Sequence, residues 1–304
     1  MINNYNFNEL IGEGTFGNVY SVVEENGDKL AMKIMKKNRL VQHNVPHSTI
    51  YKEAKLLFKS RHCGKIITFH DFFEDNYNYY IVTEQCHGSD LFEKLMKVKK
   101  FDENSAQFII KQILQALVYM HQRGIIHRDI KLENIVFKNQ HSNEIRVIDM
   151  GLAREIAKTN NKCYGKSGTL GYMAPEVFLE GDIEAYSYNA DIWSLGVVAF
   201  ILLTGYIPVT ANNDMEGYIR DISNRSFPNF PSKKQEDNNT SEIAKDFVKQ
   251  CLQINPDKRI EAVQLLMNHP WMCKDVLMSS SSSSNKLVFK PCSPSRKLFP
   301  LGSS

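Results

Sequence analysis

Lys33 stands in the middle of an apolar run, Ala31-Met32-Lys33-Ile34. An ammonium there lies either at an exposed strand edge or is buried against a counter-charge. Glu53 can supply that charge from the helix that Ile50, Ala54, Leu57 and Phe58 predict by their spacing. Further on, His127-Arg128-Asp129-Ile130-Lys131-Leu132-Glu133-Asn134 crowds ionisable groups between apolar segments, and Val147-Ile148-Asp149-Met150-Gly151 sets a carboxylate at the end of an apolar strand. Asn134 and Asp149 offer the oxygen atoms that a hard divalent cation takes. Ahead of all of these runs Gly12-Glu13-Gly14-Thr15-Phe16-Gly17-Asn18-Val19, spaced G-x-G-x-x-G-x-V. Glycines let a turn approach phosphates and point backbone N–H groups at them. A Gly-rich hairpin has the same look. A dinucleotide-binding turn instead requires a helix at the third Gly, whereas a strand-like segment follows here.

The elements that must position these groups change character along the chain. Tyr5–Gly12, Asn18–Val23 and Lys29–Ile34 read as strands, with Asn26-Gly27 as a hairpin turn. A helix over 46–60 follows, then strands around Ile66–Phe73 and Tyr79–Thr83. From Leu91 onward the periodicity is helical, most clearly from Asp102, a good N-cap, through Phe108, Ile109, Ile113, Leu117 and Met120 to Gly124. Ile192 to Leu203 reads as a helix buried in a large core. Strands in one block and helices in another argue for a small α+β lobe joined to a larger helical one.

The 304 residues are 42% hydrophobic and 23% charged, which suits a large buried core and excludes a mostly disordered chain. A net charge of +3 is too small for a dedicated nucleic-acid binder. Residues 279–304 hold Lys286, Lys290, Arg296 and Lys297 and no acid, so the excess resides there. The six cysteines form no C-x-x-C pair, which favours a reducing compartment, cytoplasmic or nuclear. No signal-peptide pattern opens the chain, position 2 is Ile and not Gly, and no apolar run is long enough to span a bilayer, so no membrane partner is expected.

Taken together with Ala174-Pro175-Glu176, these motifs occur in the order and spacing of the eukaryotic protein kinases, which the sequence resembles from about Tyr5 to Trp271. The resemblance implies a bilobal α+β fold: a β-rich N-lobe over 1–83, a hinge at 84–86, a helical C-lobe over 87–278 and a disordered Ser-rich basic tail over 279–304. It implies ATP and Mg²⁺ as cofactors and proteins as substrates. Ile11 through Val19 (Ile11, Gly12, Glu13, Gly14, Thr15, Phe16, Gly17, Asn18 and Val19) would cover ATP, with Val19 and Ala31 above adenine and Val136 below. Lys33, paired with Glu53, would hold the α- and β-phosphates, and Glu84 and Cys86 would bind the adenine edge. Asp129 would accept the substrate's proton, Lys131 would neutralise the γ-phosphoryl, and Asn134 and Asp149 would hold Mg²⁺. Asp191 would brace the catalytic loop and Glu176 would pair with Arg259.

Lys131 and Thr169 match the serine/threonine type, and Gly88-Ser89-Asp90-Leu91-Phe92 with His269-Pro270-Trp271-Met272 looks most like the calcium/calmodulin-dependent group. Asp90 and Glu133 stand where arginine-reading relatives place carboxylates; two solvated surface acids are the competing account. A pseudokinase used as a binding module would show losses at Lys33, Asp129 or Asp149, and all three are present. Met150 replaces a usual Phe, and Leu170 a common Pro. Gly165 occupies the position whose phosphate would meet Arg128, which predicts activity without that modification, in a segment kept mobile by Lys158, Lys162 and Lys166. Pro291 and Pro294 break any amphipathic helix in the tail, leaving a basic segment open to a regulator.

Overall fold

Val, Ile and Tyr alternate with smaller or polar residues through the N-terminal third, and that period of two builds an antiparallel sheet. The computed structural model describes residues 2–156, 163–179, 186–209, 215–224, 227–231 and 240–273. Strands β1 (Tyr5–Gly14), β2 (Gly17–Glu24), β3 (Lys29–Lys36), β4 (Phe69–Glu74) and β5 (Asn78–Glu84) pair in the order β1-β2-β3-β5-β4. Helices α1 (Lys37–Gln42) and α2 (His47–Ser60) connect β3 to β4.

Register decides which side chains face the rest of the molecule. Val19 lies opposite Lys33, which lies opposite Ile81; Ser21, Ala31 and Thr83 form the next row. Directly opposed residues share a face, so Val19, Ala31 and Lys33 point the same way. The other face buries Tyr5, Val22, Leu30, Met32, Tyr80 and Val82 in a small core of its own. Gly17 is fixed by close approach: a Cβ there would lie 1.7 Å from the Ile34 carbonyl oxygen. The third glycine of the motif therefore lets β2 meet β3, a requirement of the sheet that phosphate binding alone does not impose.

The remainder is helical with short two-stranded pieces: α3 (Leu91–Val98), α4 (Glu103–His121), β6 (Ile125–Ile126), β7 (Ile135–Phe137), β8 (Ile145–Val147), β9 (Arg154–Glu155), α5 (Pro175–Leu179), α6 (Asn189–Thr204), α7 (Met215–Ile222), α8 (Glu242–Cys251), α9 (Ala262–Asn268) and α10 (Pro270–Cys273). Every residue of α6 from Ala190 to Thr204 is buried, as an all-round apolar helix must be, and α4 and α8 pack against it. Asp102 caps α4, its carboxylate accepting from the Ser105 N–H at 3.0 Å.

Three expectations shift. Helix α1 was not legible in the sequence; the strand expected from Ile66 begins at Phe69, Ile66 instead bridging to Val147; and α4 ends at His121, three residues before Gly124. The tail over 279–304 and most of the polar insert at 232–241 lie outside the described residues, and among those described no helix is long and apolar enough to cross a membrane.

Candidate active site

Lys33 is delivered by β3 on the sheet face shared with Val19 and Ala31, and α2 delivers Glu53 beneath it. The Lys33 Nζ lies 2.7 Å from Glu53 Oε1 and 3.9 Å from Asp149 Oδ1. Burial alone would lower the lysine's pKa; the charges of Glu53 and then Asp149 outweigh it and raise the pKa above the ordinary value. The Asp149 carboxyl is held down first by Lys33, against burial, with help from the Gly151 N–H, which donates to Oδ1 at 2.9 Å. The two groups therefore face each other fully charged at neutral pH.

The catalytic-type loop leaves β6 and is gripped from below by α6. Asp191, wholly buried, accepts from the His127 N–H at 2.9 Å, from the Arg128 N–H at 2.8 Å and from His121 Nε2 at 2.9 Å. Burial pushes its carboxyl up, but the His121 hydrogen bond, the two imidazoles and the His127 N–H bring it below the ordinary range. Arg128 and Asp149 both adopt left-handed backbone, φ 73° and 63°. Such conformations persist where the surroundings over-determine them, and here they turn Asp129 and Asp149 out toward the cleft.

Both oxygens of Asp129 are spoken for. Oδ1 accepts from the Thr169 hydroxyl at 2.7 Å; Oδ2 accepts from Asn134 Nδ2 at 3.0 Å and lies 3.0 Å from Lys131 Nζ. Lys131 Nζ also donates to Thr169 Oγ1 at 2.8 Å, closing a triangle of Asp129, Lys131 and Thr169. Asn134 sends its amide nitrogen to Asp129, so its amide oxygen is the atom it could offer to a cation. With the half-exposed Asp149 carboxylate, that is a pair of hard oxygen donors, a set that suits Mg²⁺.

The remaining sequence-predicted residues distribute around this centre. Val136 is half-buried between the buried Ile135 and Phe137 of β7, so it faces the opposite side from both. Gly12 lies opposite Val19, while Ile11, Glu13, Gly14 and Thr15 are exposed along β1 and its turn, with Asn18 half-buried across from Glu13. Phe16 turns inward instead and meets the His43 ring edge-on at 5.7 Å. Cys86 is half-buried, its thiol pushed up to about 11 by burial. Met150 is buried in the main core with Leu57, Phe69 packing against it. Leu170 stays 37% exposed.

Sequence reasoning missed how the connecting strand is anchored. The Glu84 carboxylate accepts from the Thr68 N–H and hydroxyl at 2.9 and 2.7 Å and from Arg146 Nε at 2.9 Å, joining the sheet to β8. Ser21 donates to Gln85 Oε1 at 2.9 Å. The available signal was Arg146 itself, a charge inside the apolar strand Ile145-Arg146-Val147, read as Lys33 was read. Arg259, also buried, makes a two-pronged pair with Glu176 at 2.5 and 2.7 Å, fixing α5 to the segment before α9.

The family model for the protein kinase domain matches residues 5–272. The chain belongs to the protein kinase family. Calcium-dependent protein kinase 3 of Plasmodium berghei is 38% identical over 277 residues, covering 89% of this chain and 47% of that protein. A calcium/calmodulin-dependent protein kinase, cmkA of Emericella nidulans, is 35% identical over 269 residues, 88% of this chain and 62% of its own length. The alpha chain of the type II calcium/calmodulin-dependent protein kinase of Drosophila melanogaster is 33% identical over 273 residues, 89% of this chain and 49% of its own. The chain thus spans about half the length of most of these relatives. As a kinase domain its two parts are the N-terminal sheet with α2 and the helical body, and the kinase site described above lies where they meet.

Proposed function

We propose that this kinase domain transfers the γ-phosphoryl group of ATP to serine and threonine hydroxyls of proteins, with a moderate preference for basic residues N-terminal to the target. The observation that carries the reading is the Asp129 carboxylate held from both sides by Thr169, Lys131 and Asn134, within one site that also contains charged Lys33 and Asp149. A loose phosphoryl-transfer transition state needs positioning and charge more than covalent help.

In this reading Lys33, kept charged and fixed by Glu53, holds the α- and β-phosphates, and residues 11–19 with Ala31 and Val136 enclose the nucleotide. Residues 84–86 act as the hinge, the Glu84 carbonyl and Cys86 N–H meeting the adenine edge. Asp129 orients the incoming hydroxyl and accepts its proton, while Lys131 screens the charge between donor and acceptor. Asn134 and Asp149 would hold Mg²⁺, whose contribution when bound is positive charge beside the phosphates. The free thiols of Cys63, Cys86, Cys163, Cys251 and Cys273 suit the cytoplasmic or nuclear setting included in the proposal.

The basic preference rests on the half-buried carboxyls of Asp90 and Glu133, whose charged forms burial disfavours. Burial raises Glu133 and Asp90 alike and outweighs the lowering by Lys131 and Lys97, and the charge of Asp90 raises Glu133 further. Glu133 Oε2 is buried with no hydrogen-bond partner among the described residues. An arginine placed between the two acids would relieve both penalties. Asp90 also caps α3, accepting from the Glu93 N–H at 2.7 Å, so Glu133 is the freer of the two. A positional peptide library, phosphorylated with ATP and Mg²⁺, should select Arg two or three residues before the target serine. Glu133→Gln should reduce that selection about three- to ten-fold in kcat/KM. A library with no basic selection would contradict the preference.

A further inference from the structure

We propose that the activation segment is held for catalysis by a clasp of the chain's own making, in which the backbone carbonyl of Gly165 takes the place of a phosphate on Arg128. The inference rests on the kinase reading and names how that activity is controlled. Loops switched by phosphorylation are ordered when new phosphate oxygens meet an arginine. Here Arg128 Nη2 donates to the Gly165 carbonyl at 2.9 Å and Nη1 reaches the Leu152 carbonyl at 3.4 Å. The Tyr186 hydroxyl donates to the same Gly165 oxygen at 2.9 Å, so that carbonyl has two donors for its two lone pairs.

Each partner in the clasp is itself anchored. Cys163 and Tyr186 exchange both backbone hydrogen bonds, at 2.7 and 2.9 Å, which fixes the segment on either side of Gly165. Tyr186 is buried, and burial holds its phenol above the ordinary value, so it remains an O–H donor. The Arg128 backbone N–H is bound to Asp191, and the next residue is Asp129, so the clasp and the proposed catalytic carboxylate share one anchored stretch of chain. The glycine has two consequences at once. It removes the hydroxyl that a phosphate needs, and its φ of +88° is a conformation that other residues rarely hold. A side chain would find open space there, so the backbone and not crowding selects glycine.

A second tie reaches the segment from α2. Lys59 bonds the Glu155 carboxylate on β9 and Lys55 lies 3.4 Å from it, linking the helix that carries Glu53 to the segment without a phosphate. The segment is therefore tied at Glu155 and at Gly165, and Lys166 lies over the Phe178 ring at 4.2 Å. Thr159, Lys158 and Lys162 fall outside the described residues. Ser167 lines a small cavity together with Arg128 and Tyr186.

The test strips the full chain with a phosphatase, verifies the result by mass spectrometry, and measures both peptide phosphorylation and hydrogen exchange at the Cys163 and Tyr186 amides. The clasp predicts a kcat within about two-fold of the untreated protein and unchanged protection of both amides. Tyr186→Phe and Gly165→Ala, each checked for an intact thermal transition, should lower kcat roughly three- to ten-fold, expose the Cys163 amide and leave KM for ATP unchanged. A loss of about ten-fold or more on dephosphorylation, with loss of protection and recovery on rephosphorylation at Thr159, Tyr164 or Ser167, would overturn the proposal. Protected amides in a chain that transfers no phosphate in either state would support the clasp and overturn the kinase reading instead.

Discussion

Asp191 shows how a single buried carboxylate can determine the geometry of a loop it does not belong to. It satisfies two consecutive backbone N–H groups at the point where Arg128 takes a left-handed conformation, and His121 completes its shell. Its pKa in the folded chain lies below the ordinary 3.8. A depressed folded value means the stabilisation is fully present above the unfolded value and is lost as the pH falls through the folded one. Asp191→Asn should therefore cost about 2–4 kcal/mol near neutrality, by leaving donors unpaired. The gap in thermal midpoint between the two proteins should narrow as the pH falls below about 5. A gap that widened on acidification would show that the carboxylate is not the stabilising form. Lys33 and Asp149 stood out because a charge within or at the end of an apolar run is costly unless it is used, while the roles of Glu53, Asp129 and Asn134 were legible only from the joint order and spacing of the motifs. The Glu84–Arg146 pair was not, since its members lie 62 residues apart and only the fold brings them together.

At the scale of elements, legibility followed capping and length. Helix α4 could be read because it is 19 residues long and Asp102 is placed to cap it. Helix α1 has six residues and no side-chain cap at Lys36, so neither periodicity nor a start signal marks it. The β2–β3 pair was legible from alternation, but the reason for Gly17 was not, because the clash it avoids is with a backbone oxygen of the neighbouring strand. The cap gives a direct check on the helix that precedes the catalytic loop. Asp102→Ala removes the acceptor for the Ser105 N–H and should destabilise the domain by about 1 kcal/mol. In a chain of this size that is a fall of about 2–4 °C in Tm by differential scanning calorimetry. An unchanged Tm would mean that the exposed N–H finds an equally good partner in water.

Across the whole molecule, the sheet supplies Lys33 and the helical body supplies Asp129, Asn134 and Asp149, while the Lys59–Glu155 and Glu84–Arg146 pairs tie the two together. A change in how the two parts sit relative to each other would separate Lys33 from Asp149 before it disturbed either part internally. The sequence carried the bilobal architecture because strand and helix periods occupy separate blocks. It did not carry the anchoring of the activation segment, where the decisive atom is a main-chain carbonyl that no side-chain pattern records. The proposed role of Asp129, so held, is to direct phosphoryl transfer to an aliphatic hydroxyl. It is tested by incubating wild-type and Asp129→Asn protein with labelled ATP and Mg²⁺ on matched peptides that differ only in Ser, Thr or Tyr at the acceptor. Label on the Ser and Thr peptides alone, with turnover at least about a hundred-fold lower in Asp129→Asn at unchanged nucleotide affinity, is the expected result. Equal turnover by the two proteins, or transfer chiefly to Tyr, would contradict it.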